Sequence, residues 1–167
     1  MPRLILGFLV AGVVVAGVPA IGAAAPSART LVPQKSIRSV QLRMSPAEVR
    51  AALGRAPDAG ATTPHPILGK VRVWRFGALR ITFDGTGAGR SVVTVTTTST
   101  RDRSGTGVGV GSSEAEVRRL VSGSRCAIQY GYRHCWVGVQ RAGRILTDFS
   151  INRRGRVTRV TLGRVLD

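Results

Sequence analysis

Apolar residues recur twice at the helical spacing i, i+3, i+4, and each time a stretch of alternating apolar and polar positions follows. The first stripe is Val49, Ala52 and Leu53; the second is Val117, Leu120 and Val121. Each opens on a helix-start signal. Ser45-Pro46-Ala47-Glu48 offers an N-cap Ser, a Pro at the first helical position and a Glu three residues after the cap, and Ser113-Glu114-Ala115-Glu116 repeats the capping box. Gly54 and Pro57 end the first helix, so the pattern predicts a helix over residues 46–53. Helices this short need a sheet to pack on.

Strands are predicted after each helix. Val71, Val73, Trp74 and Phe76 form one, and Leu79, Ile81 and Phe83 alternate with Arg80 and Thr82 in the next. A turn at residues 84–89 leads to a β-branched run over 91–100, with Val93 and Val95 as the expected core positions. Residues 59–66 are rich in Gly, Thr and Pro and read as a loop. In the second half, 126–132 and 135–139 are expected to pair around a turn at 131–134. Residues 145–151 and 156–162 follow as strands. Short turns between neighbours imply antiparallel meanders.

The two halves superpose at an offset of 68 residues. Ser45 matches Ser113, Glu48 matches Glu116, Val49 matches Val117, and Ile81 and Phe83 match Phe149 and Ile151. The turn of the first half is longer by about three residues. The halves meet at Arg101 to Gly111, which includes Gly105, Gly107, Gly109 and Gly111. Its glycines before a helix could cradle an anion, but no Lys-Ser/Thr follows. Val108 and Val110 alternate in register with Val40 and Leu42, so we read a linker entering a strand. The expected fold class is α+β, two tandem modules, each a short helical element packed on an antiparallel β-sheet. The first spans residues 38–100 and the second 101–167.

The N-terminus changes the picture of where this domain resides. Arg3, an uncharged apolar run from Leu4 to Val18, and the small residues Ala20 to Ala25 have the layout of a secretory signal peptide over residues 1–25. An uncleaved membrane anchor is the alternative, since the 18 residues from Leu4 to Ile21 lie at the short end of a span. Residues 26–37 have little periodicity and are expected to be a flexible leader. A secreted or extracytoplasmic envelope location follows.

The chain carries 25 Lys+Arg, nearly all Arg, against 8 Asp+Glu, a net charge of +17. Such a field attracts an acidic protein or an anionic envelope surface. Export makes nucleic acid an unsuitable partner. A compositional bias toward Ala, Gly, Val and Arg accounts for part of the charge, because the arginines are spread along the chain. Cys126 and Cys135 are the only cysteines, and an even pair in an exported chain predicts a disulfide. Neither His65 nor His134 completes a metal site with them. No metal or cofactor is expected. No Ser has a recognisable base, and Asp84 and Asp148 are placed at strand ends, so no enzyme is expected either.

Taken together, the apolar-x-Met/Gly-Ser-x-x-Glu-Val-Arg pattern and the following aromatic hairpin and Phe83-Asp84-Gly85 strand end resemble the BamE/SmpA-like modules. The tandem arrangement is similar to the secreted β-lactamase inhibitor protein fold. The resemblance covers about residues 38–165. It implies a non-catalytic protein that binds other proteins, as an envelope assembly factor or an inhibitor, through aromatic residues on a concave sheet. Tyr130, Tyr132 and Trp136 beside the cysteines would be those residues, with Trp74 and Phe76 at the comparable place in the first copy. The chain departs from the pattern in lacking cysteines in the first copy and a lipid-anchoring Cys. Tyr130 and Tyr132 are expected on one strand face, while Trp74 and Trp136 read as partly buried. Arg153 and Arg154 lie in the densest basic turn, either solvated or contacting an anion. Binding of anionic polymers or membrane by charge alone is the competing function.

Overall fold

The computed structural model describes residues 30–54, 57–85 and 89–166. The apolar N-terminal run and the first residues of the expected leader lie outside these. In chain order the elements are β1 (Leu31–Val32), β2 (Ser36–Ile37), α1 (Pro46–Leu53), β3 (Asp58–His65), β4 (Gly69–Phe76), β5 (Leu79–Asp84), β6 (Ser91–Thr97), α2 (Glu114–Leu120), β7 (Arg125–Gln129), β8 (Tyr132–Gly138), β9 (Ile145–Ile151) and β10 (Val157–Arg164).

Both helices form where the capping boxes place them. Ser45 Oγ accepts from the Glu48 amide at 3.3 Å, and the Glu48 carboxylate accepts from the Ser45 amide at 2.7 Å. Ser113 and Glu116 repeat this at 3.2 and 2.6 Å. Gly54 ends α1 with φ 66°, a left-handed value that glycine adopts without strain.

The fold is mixed α+β. β1 and β2 form a small antiparallel pair, and the other eight strands form one antiparallel sheet in the order β3-β4-β5-β6-β10-β9-β8-β7. Two four-stranded meanders thus meet edge to edge, with Val160 opposite Thr97 and Leu162 opposite Val95. Side chains alternate across a strand, and one face of the sheet is buried and mainly apolar. Leu79, Ile81 and Phe83 of β5 and Thr147, Phe149 and Ile151 of β9 are buried, each pair 68 residues apart. Val92, Val95 and Thr97 of β6 match Val157, Val160 and Leu162 of β10 at an offset of 65, the difference being the longer β5–β6 turn. Val49 of α1 and Val117 of α2 sink into the same apolar cluster, so one core lies beneath both helices.

The structure differs from the sequence reading in two segments. The leader is held in place from Leu31 onward: Leu31, Ile37 and Val40 are buried in the core. Four left-handed residues, Gln34, Arg38, Ser39 and Arg43, fold it tightly and erase any periodicity. Residues 58–65, expected as a loop, form edge strand β3. It buries almost nothing and is held by its ladder to β4, and its Pro64 is tolerated because an edge strand bonds on one side only.

The connector between β6 and α2 behaves as expected at Val108 and Val110, both buried. Its glycines form no anion cradle. The Gly107, Gly109 and Gly111 amides bond to Ser104, Ser112 and Val157. A Cβ on Gly109 would collide with the Asp102 carbonyl, so only glycine fits there. Asp102 itself is buried. It accepts from Arg38 Nε at 2.7 Å and from the Thr97 hydroxyl, tying leader, connector and β6 together. Asp102→Ala leaves Arg38 and Thr97 without their partner and should cost about 3 kcal/mol. The check is urea unfolding, with a lowered midpoint and an unchanged slope; a loss below about 1 kcal/mol would show the tie to be unimportant.

Candidate functional site

The β7–β8 hairpin and the β9–β10 turn lie at the same end of the sheet, because β8 and β9 are antiparallel neighbours. Gln129 pairs with Tyr132, leaving Tyr130 and Gly131 as a two-residue turn. Their φ values, 50° and 79°, are the positive pair that a type I′ hairpin requires. Tyr130 therefore sits at the hairpin tip, 97% exposed, and not on a strand face as expected. A turn at 131–134 is likewise replaced by the tighter one, which places His134 inside β8. Tyr132 is 74% exposed. Ile128, across from Arg133, adds a third bare apolar side chain.

The β9–β10 turn is built by Asn152, whose Oδ1 accepts from the Arg154 and Arg156 amides, both at 3.0 Å. It is seated against α2 by the Glu114 amide, which donates to the Gly155 carbonyl. The side chains of Arg153 and Arg154 have no partner among the described residues. Between hairpin and turn lies an open depression of about 850 Å3, with Tyr130, Tyr132, Arg153 and Arg159 on its walls and Asp148 and Ser150 on its floor. Arg154 is on the same turn but outside the depression.

The remaining aromatic candidates are elsewhere. Trp74 and Phe76 are core residues and present no surface to a partner. Trp74 pairs with Ile81 and Cys135 pairs with Phe149, so the counterpart of Trp74 is Cys135. Trp136, one position on, faces the other side of the sheet. It is 7% exposed, with its ring 5.0 Å from that of His134. A one-residue shift reverses the face, which is why Trp74 and Trp136 are not equivalent.

A polar network covers the open face beside Trp136. His134 Nδ1 contacts the Asp148 carboxylate, and its Nε2 lies 3.2 Å from Gln129 Oε1. The Ser150 hydroxyl donates to Asp148 at 3.2 Å, and Arg159 donates to Ser150. Asp148 is thus mid-strand and partnered. The hydroxyl meets the carboxylate and not the imidazole, so these three residues lack the contact that activates a serine nucleophile. Cross-strand register brings them together, which sequence spacing alone does not reveal.

Cys126 and Cys135 are joined as a disulfide across β7 and β8. Glu114 lies near both sulfurs, a cluster of ligand types that could hold a metal if the thiols were free. Here both sulfurs are committed to each other. The Glu114 carboxylate is committed as well, accepting from Arg118 Nη2 at 2.7 Å and from Arg133 Nε, which clamps α2 to β8. The Arg133 hydrogen bond is the main cause that holds the Glu114 carboxyl below the usual carboxylate range. The chain matches no protein-family model, no curated protein and no solved structure.

A depressed carboxyl stabilises the fold above the ordinary glutamate range, and that contribution is lost as pH falls through the lowered value. Glu114→Gln should therefore cost about 2 kcal/mol at pH 7, a hydrogen bond to a charged partner being of that size. It should also lose stability less steeply than the parent on acidification. Urea unfolding at pH 7 and at about pH 3 checks both; equal acid sensitivity would remove Glu114 from the account.

Proposed function

We propose that this protein is a secreted or extracytoplasmic, non-catalytic binding module that recognises an acidic protein partner through the hairpin end of its sheet. Tyr130 and Tyr132 serve as anchors, and Arg153, Arg154 and Arg159 steer the partner. The observation that carries this reading is the tip itself. Ile128, Tyr130 and Tyr132 fall within five residues and are the three most exposed large apolar side chains among the described residues. Exposed aromatics flanked by arginines are the usual composition of a binding hot spot. Tyr130 further holds a left-handed backbone that Asn or Gly would adopt more cheaply. Presenting an aromatic there costs stability, which favours a role outside folding.

The reading includes two tandem modules, each a helix and a meander, as in the inhibitor-like and assembly-factor-like proteins that the sequence resembles. The 68-residue register of helix starts and buried strand positions supports it. The disulfide is consistent with an oxidising compartment. Charge-driven attachment to anionic polymers is the second reading, favoured by the many unpartnered arginines.

Tyr130→Asn separates binding from folding. It relaxes the turn and should raise stability by about 0.5–1 kcal/mol, while removing an anchor. The protein is used as bait against envelope and culture proteins of its source, with washes at low and high salt. One protein held at high salt, and released by Tyr130→Asn or Tyr132→Ala, is the expected result. Capture that salt abolishes, and that neither substitution changes, would leave charge alone as the cause.

A further inference from the structure

The opposite end of the sheet carries a different chemistry. β8 runs from the aromatic hairpin to Gly138, and the loop that follows meets the ends of β3 and β10. Two adjoining depressions lie there and share Gly143 and Arg164. One, of about 490 Å3, is walled by Arg43, Arg144, Arg164 and the aliphatic Val139 and Ile145. The other, of about 310 Å3, is walled by Ile67, Val165 and Leu166. Four of the seven exposed large apolar residues among the described residues, Ile67, Val139, Ile145 and Leu166, are gathered at this rim, and none is aromatic.

The three arginines arrive from three separate segments: the loop before α1, the β8–β9 loop and the end of β10. None of their guanidinium groups has a hydrogen-bonded or ionic partner among the described residues. Among the described residues Asp84 is the one acidic residue on either wall, and its Oδ1 already accepts from the amide and hydroxyl of Ser91. Three like charges around one depression repel one another unless an anion sits between them. Guanidinium groups bind phosphate oxygens through paired N–H donors. Aliphatic side chains next to such a site suit hydrocarbon.

We propose that this rim docks on an anionic phospholipid surface, with Arg43, Arg144 and Arg164 on headgroup phosphates and Ile67, Val139, Ile145 and Leu166 at the acyl boundary. This site is separate from the hairpin end and does not depend on the function assigned there. It combines the two weak signals that reversible membrane attachment needs, a basic patch and inserted apolar side chains. A net charge of +17 alone gives attraction without a preferred face; the rim supplies the face.

The test is sedimentation with vesicles of phosphatidic acid in phosphatidylcholine, and with phosphatidylcholine alone, at about physiological salt. Every variant carries the same N-terminus. The parent should bind the anionic vesicles only. Arg144→Gln with Arg164→Gln should weaken partitioning on the order of twentyfold, since each cation near an anionic leaflet is worth on the order of fivefold. Ile67→Ser with Leu166→Ser should weaken it at least several-fold without lowering the melting temperature, because both side chains are exposed. Arg75→Gln with Arg80→Gln, which removes the same charge from the open sheet face, should change it less than about twofold. Equal losses from the two arginine pairs would overturn the proposal in favour of undirected charge. An unchanged aliphatic variant would overturn it as well. Displacement by millimolar glycerol phosphate would assign the arginines to a soluble phosphate ester instead of a surface.

Discussion

The pairing of β6 with β10 is the constraint on which the other features rest. Each meander alone would expose an edge of unpaired amides and carbonyls and a thin apolar face. Antiparallel pairing along residues 94–97 and 160–163 closes both edges at once. It lays Val95, Thr97, Val160 and Leu162 side by side beneath the helices, and on the outer face it brings the Thr96 and Thr161 hydroxyls to 3.3 Å. The result is one core instead of two. It also pushes β7 to the far edge of the sheet, where the hairpin tip is free of neighbours, and the buried Asp102 fastens the leader beside the same seam.

What the sequence discloses is what local chemistry decides. A capping box acts within four residues, so both helices are legible to the residue at their starts. Alternation in β5 and β9 is equally local, since each strand has one buried and one wet face, whereas register shifts in β6 and β10 break the period and bury Val92 in place of the expected Val93. The failures are non-local. β3 has no apolar face, and only β4 makes it a strand. The segment around Gln34 and Arg38 is packed through left-handed turns that leave no period to detect. The aromatic site depended on strand register: Tyr130 and Tyr132 stand out by composition, but the side on which Trp136 falls is fixed by Cys135 pairing with Phe149. The network joining His134, Asp148 and Ser150 arises from cross-strand neighbours on β8 and β9, and no spacing rule contains it.

The acidic residues explain why the surface is so strongly of one sign. Glu48 and Glu116 accept from their N-cap serines, Asp84 from Ser91, Asp102 from Arg38 and Thr97, and Glu114 from Arg118 and Arg133, while Asp148 meets His134 and Ser150. Six of the eight carboxylates are thereby used inside the fold. Only three arginines, Arg38, Arg118 and Arg133, are taken up in ion pairs among the described residues. The field beyond the surface is therefore mainly cationic, and such a field attracts anions without singling out one face. Location has to come from apolar side chains.

Those side chains sit at the two ends of β8, and folding constrains the two ends differently. At Tyr130 the backbone prefers another residue, so the exposed aromatic stands against the local conformational preference. At the other end Gly138 has φ 112°, and a Cβ there would press on the Ile145 carbonyl and the Gln34 amide. Glycine is required, and the loop after it is placed by the core. Gln34 reaches back to the same strand, donating its backbone amide to the Thr147 hydroxyl at 2.7 Å. The leader thus holds Arg43 and the β8–β9 loop in one rim. The hairpin is pinned by its disulfide and the Arg133–Glu114 clamp and ends in a bare two-residue turn, whereas the rim is assembled from three separate segments. A projecting turn suits entry into a partner's cleft, and a fixed rim suits contact with a broad surface.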